Sequence, residues 1–305
     1  MATILSKGNL FDPVLVTDLI DKVKGSSALA ALCAQTPIPF NGQKEFIFTM
    51  DDEVDLVAEN GKKTAGSIAL TPTTIIPLKV EYGARISDEF MYASEEAQID
   101  ILKSFNDGFA KKVARGLDIM ALHGVNPRSK TASALIGTNH FDNGVTEVTE
   151  AVSADALVES AIEVVQGNDY DVTGIAMAPA FRSALAKQTY VDGQKMYPEL
   201  AWGSAPGTIN GLPVQVNNTV SFNNSTDLAI VGSFTDAFKW GYSKEIPLEV
   251  IRYGDPDNSG MDLKGYNQVY IRAEVYLGWG ILDKSAFAVI RSAASLPEEG
   301  EEEQP

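Results

Sequence analysis

Apolar residues recur at Leu102, Phe105, Phe109, Val113, Leu117 and Met120, in steps of 3, 4, 4, 4 and 3. That spacing lines one face of an α-helix. Asp100, Lys103, Asp107, Lys111, Lys112, Arg115 and Asp118 fall mostly on the other faces. The pattern predicts a helix from Ser94 to Leu122, with Ser94 as N-cap, Glu95 and Glu96 at the positive end of the dipole and Gly124 as its stop. About 29 residues at 1.5 Å each give roughly 43 Å. Gly108 and Gly116 interrupt any heptad repeat, and charges recur too often for a membrane span. The prediction is a long amphipathic spine lying across a sheet.

A period of two governs other stretches. Phe46, Phe48 and Met50 recur at every second position, as do Ile76, Leu78, Val80, Tyr82, Ala84 and Ile86, the latter alternating with Pro77, Lys79, Glu81, Gly83 and Arg85. Asn60-Gly61 between them is a hairpin signal. With that tip, residues 41–86 form a hairpin with arms of about 20 residues, roughly 60 Å when extended. A compact chain of 305 residues has a radius of gyration of roughly 19 Å, so the hairpin projects, twists or folds back. Val269, Ile271, Ala273, Val275, Leu277, Trp279 and Ile281 predict a second long strand. Residues 1–40 read as an arm: Asp12-Pro13 opens a short helix faced by Leu15, Leu19 and Val23, and Ser26–Gln35 is another, stopped by Pro37 and Pro39.

Residues 150–265 alternate short helices and strands. Ser153 caps a helix that ends at Gly167, and Ile175–Ala178 is a strand followed by a helix from Pro179 to Lys187. Residues 188–210 read as an irregular loop, Leu212–Val216 and Leu228–Val231 as strands, and Phe234–Phe238 as a helical turn. Ile246, Leu248 and Val250 alternate again. The whole is an α+β chain: a unit from 87–149 and 266–292, with a compact lobe at 150–265 inserted between helix and strand.

Charge and cysteine content narrow the function. The net charge is −17, and Glu298, Glu299, Glu301, Glu302 and Glu303 supply five of it, leaving −12 for the body. Such a chain repels nucleic acid on average, which argues against sequence-specific binding. The tail 293–305 is too polar to bury and is expected to be disordered. Cys33 is the sole cysteine, so no intrachain disulfide forms and a reducing compartment is expected. No apolar run spans a membrane and no secretory signal opens the chain.

Catalytic chemistry is sparse. His123 and His140 are the only histidines, and their spacing builds no catalytic or zinc constellation. His123 is expected to cap the spine or stand exposed. Asn60-Gly61-Lys62-Lys63-Thr64 lacks the first glycine of a phosphate loop. Asp255-Pro256-Asp257-Asn258-Ser259-Gly260 opens like a calcium loop, but Tyr266 stands where its glutamate belongs, so a polar turn is expected. No catalytic, cofactor-binding or metal residue is assigned.

The order of parts carries a resemblance. IIPLKVEYGARISDEFMYAS resembles the passage from extended loop to spine helix in the major capsid proteins of tailed bacteriophages, the Hong Kong 97-like fold family. ALHGVNP resembles the family's helix exit, GLPVQVNNTV with LAIVGSFTDAFKWGY its axial strands, and VYIRAEVYLGWGILDKSAFAVI its final strand. The resemblance implies a peripheral domain on the spine, an axial domain at 150–265 and a hairpin that embraces a neighbouring subunit. It implies a non-enzymatic virion protein that assembles as pentamers and hexamers into an icosahedral head around double-stranded DNA, in the host cytoplasm. Partners are other copies, with a separate scaffolding protein, a portal and decoration proteins as further possibilities. Phe46, Phe48, Lys62, Lys63, Ile76 and Leu78 are the candidate subunit contacts. Some family members crosslink a hairpin lysine to a neighbour's asparagine; Lys62 and Lys63 suit that place, but no matching asparagine and glutamate stand out. The alternatives are an encapsulin-like nanocompartment shell and an acidic α/β enzyme with an unrecognised site.

Overall fold

The computed structural model describes residues 27–50, 52–92, 95–149, 153–204, 206–243 and 248–292. The expectations for the arm before residue 27, for Ser94, for Ile246 and for the tail 293–305 lie outside the described residues. The chain divides into two compact units: Met1–Val23, Ala34–Val113 and Phe238–Asp283 form one, and Lys24–Cys33, Ala114–Ala237 and Lys284–Pro305 the other.

The expected spine is a helix, α2, at Glu95–His123 (29 residues), preceded by a short α1 at Ala28–Leu32. Along α2, Leu102, Phe109, Val113, Leu117 and Met120 are buried, as their spacing requires. Asp118 is buried too, so its assignment to a wet face is wrong. The boundary between the two units falls within α2, after Val113.

In the first unit the organising element is β11, Gln268–Ile281. Its burial alternates at first and then becomes continuous from Leu277 onward. Strand β3 (Leu78–Ser87) pairs with it antiparallel from Gln268↔Ser87 to Leu277↔Leu78. Strands β9 (Phe238–Tyr242) and β10 (Leu248–Ile251) pair with its other edge. The near-continuous burial of Phe238–Tyr242 explains why the sequence shows no strand there beyond the expected turn at Phe234–Phe238: a strand covered on both faces loses the alternation that marks it. Lys79–Glu274 at 2.8 Å and Arg272–Glu249 at 3.0 Å join neighbouring strands across the sheet.

The glycines of this sheet are positions of close approach. Thr36 donates its backbone N–H to Trp240 O at 2.9 Å, and Ile38 to Tyr242 O at 3.2 Å. A Cβ on Gly241 would lie 1.8 Å from the Thr36 carbonyl oxygen, and one on Gly280 would lie 2.6 Å from Ile75. Glycine therefore lets residues 36–38 and Ile75 lie directly on the strands.

The strand pairing divides residues 41–86 differently from the expected single hairpin. Strand β1 (Gln43–Met50) pairs with β2 (Ile68–Ile75), eight residues each, and residues 52–67 between them form no strand. Ile75 is buried. Pro77 follows, and β3 then joins β11. The reason is physical: proline has no N–H to donate to a ladder, so the return stretch breaks there.

The second unit holds a six-stranded sheet in the order β4-β12-β8-β5-β7-β6. Its strands are β4 (Thr146–Val148), β5 (Gly174–Met177), β6 (Thr208–Ile209), β7 (Leu212–Val216), β8 (Asp227–Gly232) and β12 (Phe287–Arg291). Thus the lobe expected at 150–265 takes a strand from the end of the chain, while β9 and β10 from within that range pair with β11. Helices α3 (Ala154–Gln166) and α4 (Pro179–Lys187) supply Ala161, Val165, Phe181 and Leu185 to a core with Ile175, Val231 and Ile290. A short α5 follows at Phe234–Ala237. Phe287 packs edge-on against Phe141 and Phe234, its centroid 4.9 Å from that of Phe141.

Two substitutions test this packing. Phe109→Ala removes a fully buried ring and is expected to cost roughly 3–5 kcal/mol; an unchanged melting temperature would show that α2 does not bury that face. Gly241→Ala places a methyl against a backbone carbonyl and is expected to lower the melting temperature at least as much, because main chain cannot step aside.

Candidate subunit-contact surface and buried polar centres

The candidate contacts fall into three groups. Phe46 and Phe48 stand on β1 opposite Pro72 and Leu70 of β2. Directly opposed residues of an antiparallel pair share a face, so these four and Ile68 line one side of the two-stranded sheet. Phe46 is 59% exposed and Phe48 57%, with Ile68 and Leu70 also exposed. Lys62 and Lys63 are exposed within 52–67, where Val54 at 96% and Leu56 at 98% are fully open to solvent. Ile76 is exposed, but Leu78 is half-buried opposite Leu277 in the four-stranded sheet. The structure therefore brings Phe46 and Phe48 together and places Ile76 and Leu78 at the sheet's start.

Sequence reading passed over Ile68, Leu70, Val54 and Leu56. Their signal was available: apolar side chains in segments too polar to build a core. It also passed over Tyr190, Val191 and Trp202 in the second unit, all exposed. Trp202 has φ 58°, a left-handed conformation that is costly for an aromatic residue. The base of the hairpin is held by Lys239, whose Nζ donates to Glu45 Oε1 at 2.8 Å.

The calcium-like turn proves to have a cation of its own. Arg85 on β3 donates from Nη2 to Asp255 Oδ1 at 2.7 Å, Ser259 Oγ at 2.6 Å and the Met261 carbonyl at 2.9 Å, and from Nε to Asp257 Oδ2 at 2.9 Å. The hydrogen bonds from Arg85 hold Asp257 well below the usual carboxylate range. A guanidinium gathers the turn where sequence suggested only solvated polar residues.

A second buried centre surrounds Asp118. Its Oδ2 accepts from Ala28 N at 2.9 Å, Thr219 Oγ1 at 2.9 Å and Asn217 Nδ2 at 3.2 Å. Its Oδ1 accepts from Leu29 N at 3.3 Å and from the Ser27 hydroxyl. Burial pushes the carboxyl up, and the hydrogen bonds from Ser27, Ala28, Thr219 and Leu29 oppose it. The carboxylate caps α1 from a distant helix.

The third centre corrects the reading of His123 as a cap or exposed group. Its Nδ1 lies 2.8 Å from Asp142 Oδ2 and 3.3 Å from Asp227 Oδ2, and its Nε2 lies 2.9 Å from the Thr219 carbonyl. Burial disfavours the charged ring, but the hydrogen bond to Asp142 and the adjoining Asp227 carboxylate outweigh it and raise the pKa to about 10. Arg291 donates from Nε to Asp227 Oδ1 at 2.6 Å, from Nη2 to Asp142 Oδ1 at 2.9 Å and from Nη1 to Glu147. Nearby His140 is pushed down by burial. These contacts tie the end of α2 to β8 and β12.

Comparison with known proteins decides the family. The pattern of the phage capsid family matches residues 7–292. The chain belongs to the phage capsid family. A solved structure from Mycobacterium phage Ogopogo is 32% identical, with a TM-score of 0.75 over 88% of this chain and 92% of that one. One from Gordonia phage Cozz is 25% identical, with a TM-score of 0.72 over 88% and 87%. The capsid of an empty GTA particle shares the fold at 13% identity, with a TM-score of 0.63 over 88% and 90%. None of the curated proteins matches. This capsid protein has the Hong Kong 97-like α+β fold and is a structural protein of a phage virion. Among the described residues, no helix is long and apolar enough to cross a membrane.

Asp118→Ala strips the acceptor from Ser27, Ala28, Leu29 and Thr219. With buried donors left unpaired it is expected to cost about 3 kcal/mol or more, measured by chemical denaturation. Asp118→Asn keeps part of the acceptor set and is expected to lose less; equal losses would show that the carboxylate's hydrogen bonds are not what matters.

Proposed function

We propose that this capsid protein is the major head protein, self-assembling as pentamers and hexamers into an icosahedral shell around double-stranded DNA. The observation that carries the reading is the β1–β2 face. A two-stranded sheet with Phe46, Phe48, Ile68 and Leu70 in water is a liability for a lone subunit. A neighbouring copy that covers it turns that liability into a contact, and repetition over many copies sums weak contacts into a stable shell. Lys62 and Lys63 then meet the neighbour as solvated cations rather than as crosslinking groups.

Within this reading, the unit built on β11 and the first part of α2 is the peripheral domain, and the six-stranded unit is the axial domain. The exposed Tyr190, Val191 and Trp202 suit contacts within a capsomer. The net charge of −17 suits a wall that must not bind packaged DNA tightly. A separate scaffolding protein, a portal and decoration proteins are the further partners this assignment entails, with assembly in the host cytoplasm.

Phe46→Ser combined with Phe48→Ser and Leu70→Ser removes apolar surface that is more than half exposed among the described residues. The expected outcome is a folded, soluble subunit, with unchanged circular dichroism, that forms no closed particles by light scattering and negative-stain microscopy. Closed particles from the triple variant would exclude this face as an assembly element.

A further inference from the structure

The cluster at the end of α2 carries more than an ion-pair network. The Thr219 carbonyl can only accept, so the hydrogen on His123 must sit on Nε2. That leaves Nδ1 facing two carboxylate oxygens, Asp142 Oδ2 at 2.8 Å and Asp227 Oδ2 at 3.3 Å. A bare lone pair there would repel both, so a cation must lie between them. One proton on Nδ1 can be given to only one oxygen, and Asp142 is the nearer. Among the described residues, Asp227 Oδ2 is then left with no properly directed hydrogen bond, 3.3 Å from Nδ1 and in a side chain only 2% exposed. An orphaned buried carboxylate oxygen is costly.

We propose that His123, Asp142 and Asp227 form a binding site for one divalent transition-metal ion of the zinc type. Their three ligand atoms lie within 4.8 Å of one another, compatible with ligands at roughly 2.0–2.2 Å around one ion. The ion displaces the Nδ1 proton and bonds Asp142 Oδ2 and Asp227 Oδ2 together, which satisfies the orphan. The supports that metal ligands need are already in place. His123 Nε2–H is fixed on Thr219 O, and the outer oxygens Asp142 Oδ1 and Asp227 Oδ1 are held by Arg291. One imidazole and two carboxylates favour zinc or its neighbours over calcium, which takes six to eight oxygens, and over magnesium, which keeps its waters. Lys284 stands nearby but is engaged with Thr138 O and Asn143 Oδ1. Bound there, the ion cross-links the end of α2, the loop carrying Asp142 and the start of β8.

Full-length protein stripped with EDTA and titrated with zinc chloride at pH 8 by calorimetry tests the site. The expected result is one zinc per chain and a higher melting temperature. Asp142→Asn, at the more exposed ligand, should stay folded by circular dichroism and bind more than about tenfold more weakly. A wild type that takes up no zinc overturns the proposal, as does folded Asp142→Asn that binds at wild-type strength. X-ray absorption on zinc-loaded wild type needs no variant: one imidazole with oxygen ligands supports the site, and a shell without imidazole overturns it.

Discussion

A carboxylate taken wholly out of water must be paid for in hydrogen bonds, and Asp118 sets that requirement for the second unit. One acid on α2 accepts from two backbone amides of α1, two hydroxyls and an amide side chain. Each donor comes from a segment with little reason of its own to be there. The five residues of α1 are too few for an independent helix. The acceptor that fixes them lies about ninety residues away in sequence. Remove the charge or any large share of its donors, and α1, the 217–219 turn and α2 lose their common anchor.

The first unit rests on a different constraint, the closeness of main chain to main chain. β11 accepts β3 on one edge and β9 and β10 on the other, so it has few free backbone groups. Gly241 and Gly280 then let neighbouring segments lie on the strands without an intervening side chain. Trp240 and Trp279, opposite each other in the ladder, fill the space that the glycines leave. Small and very large residues alternate because the packing needs both.

The proposed shell contact starts from apolar surface that the described residues leave exposed. The β1–β2 strands have their backbone groups paired with each other, so their geometry is set before any partner arrives. Their apolar side chains are largely exposed among the described residues, so in the proposed assembly a partner supplies burial rather than folding. Under the proposed function, a pre-shaped, exposed surface on a negatively charged subunit suits a container that closes by many modest contacts and holds nucleic acid without gripping it.

How much was legible in the sequence varied with the range of the interaction responsible. Local periodicity determined α2 and the alternating part of β11, because a side chain's face follows from its spacing alone, and Pro179 marked the start of α4. The order of those elements also determined the family. Tertiary structure alone decided what depends on partners distant in the chain. Phe238–Tyr242 is a strand only because β11 lies beside it, and β12 joins a sheet begun some 140 residues earlier. Asp118 looks like a wet-face residue until Ser27 and Thr219 arrive. His123 looks like a helix cap until Asp142 and Asp227, 19 and about a hundred residues onward, close around it. Arg85 looks like a solvated residue on a strand until the 255–261 turn wraps its guanidinium. Periodicity records which face is buried; only the fold assigns the charge that a buried or gathered polar group will meet.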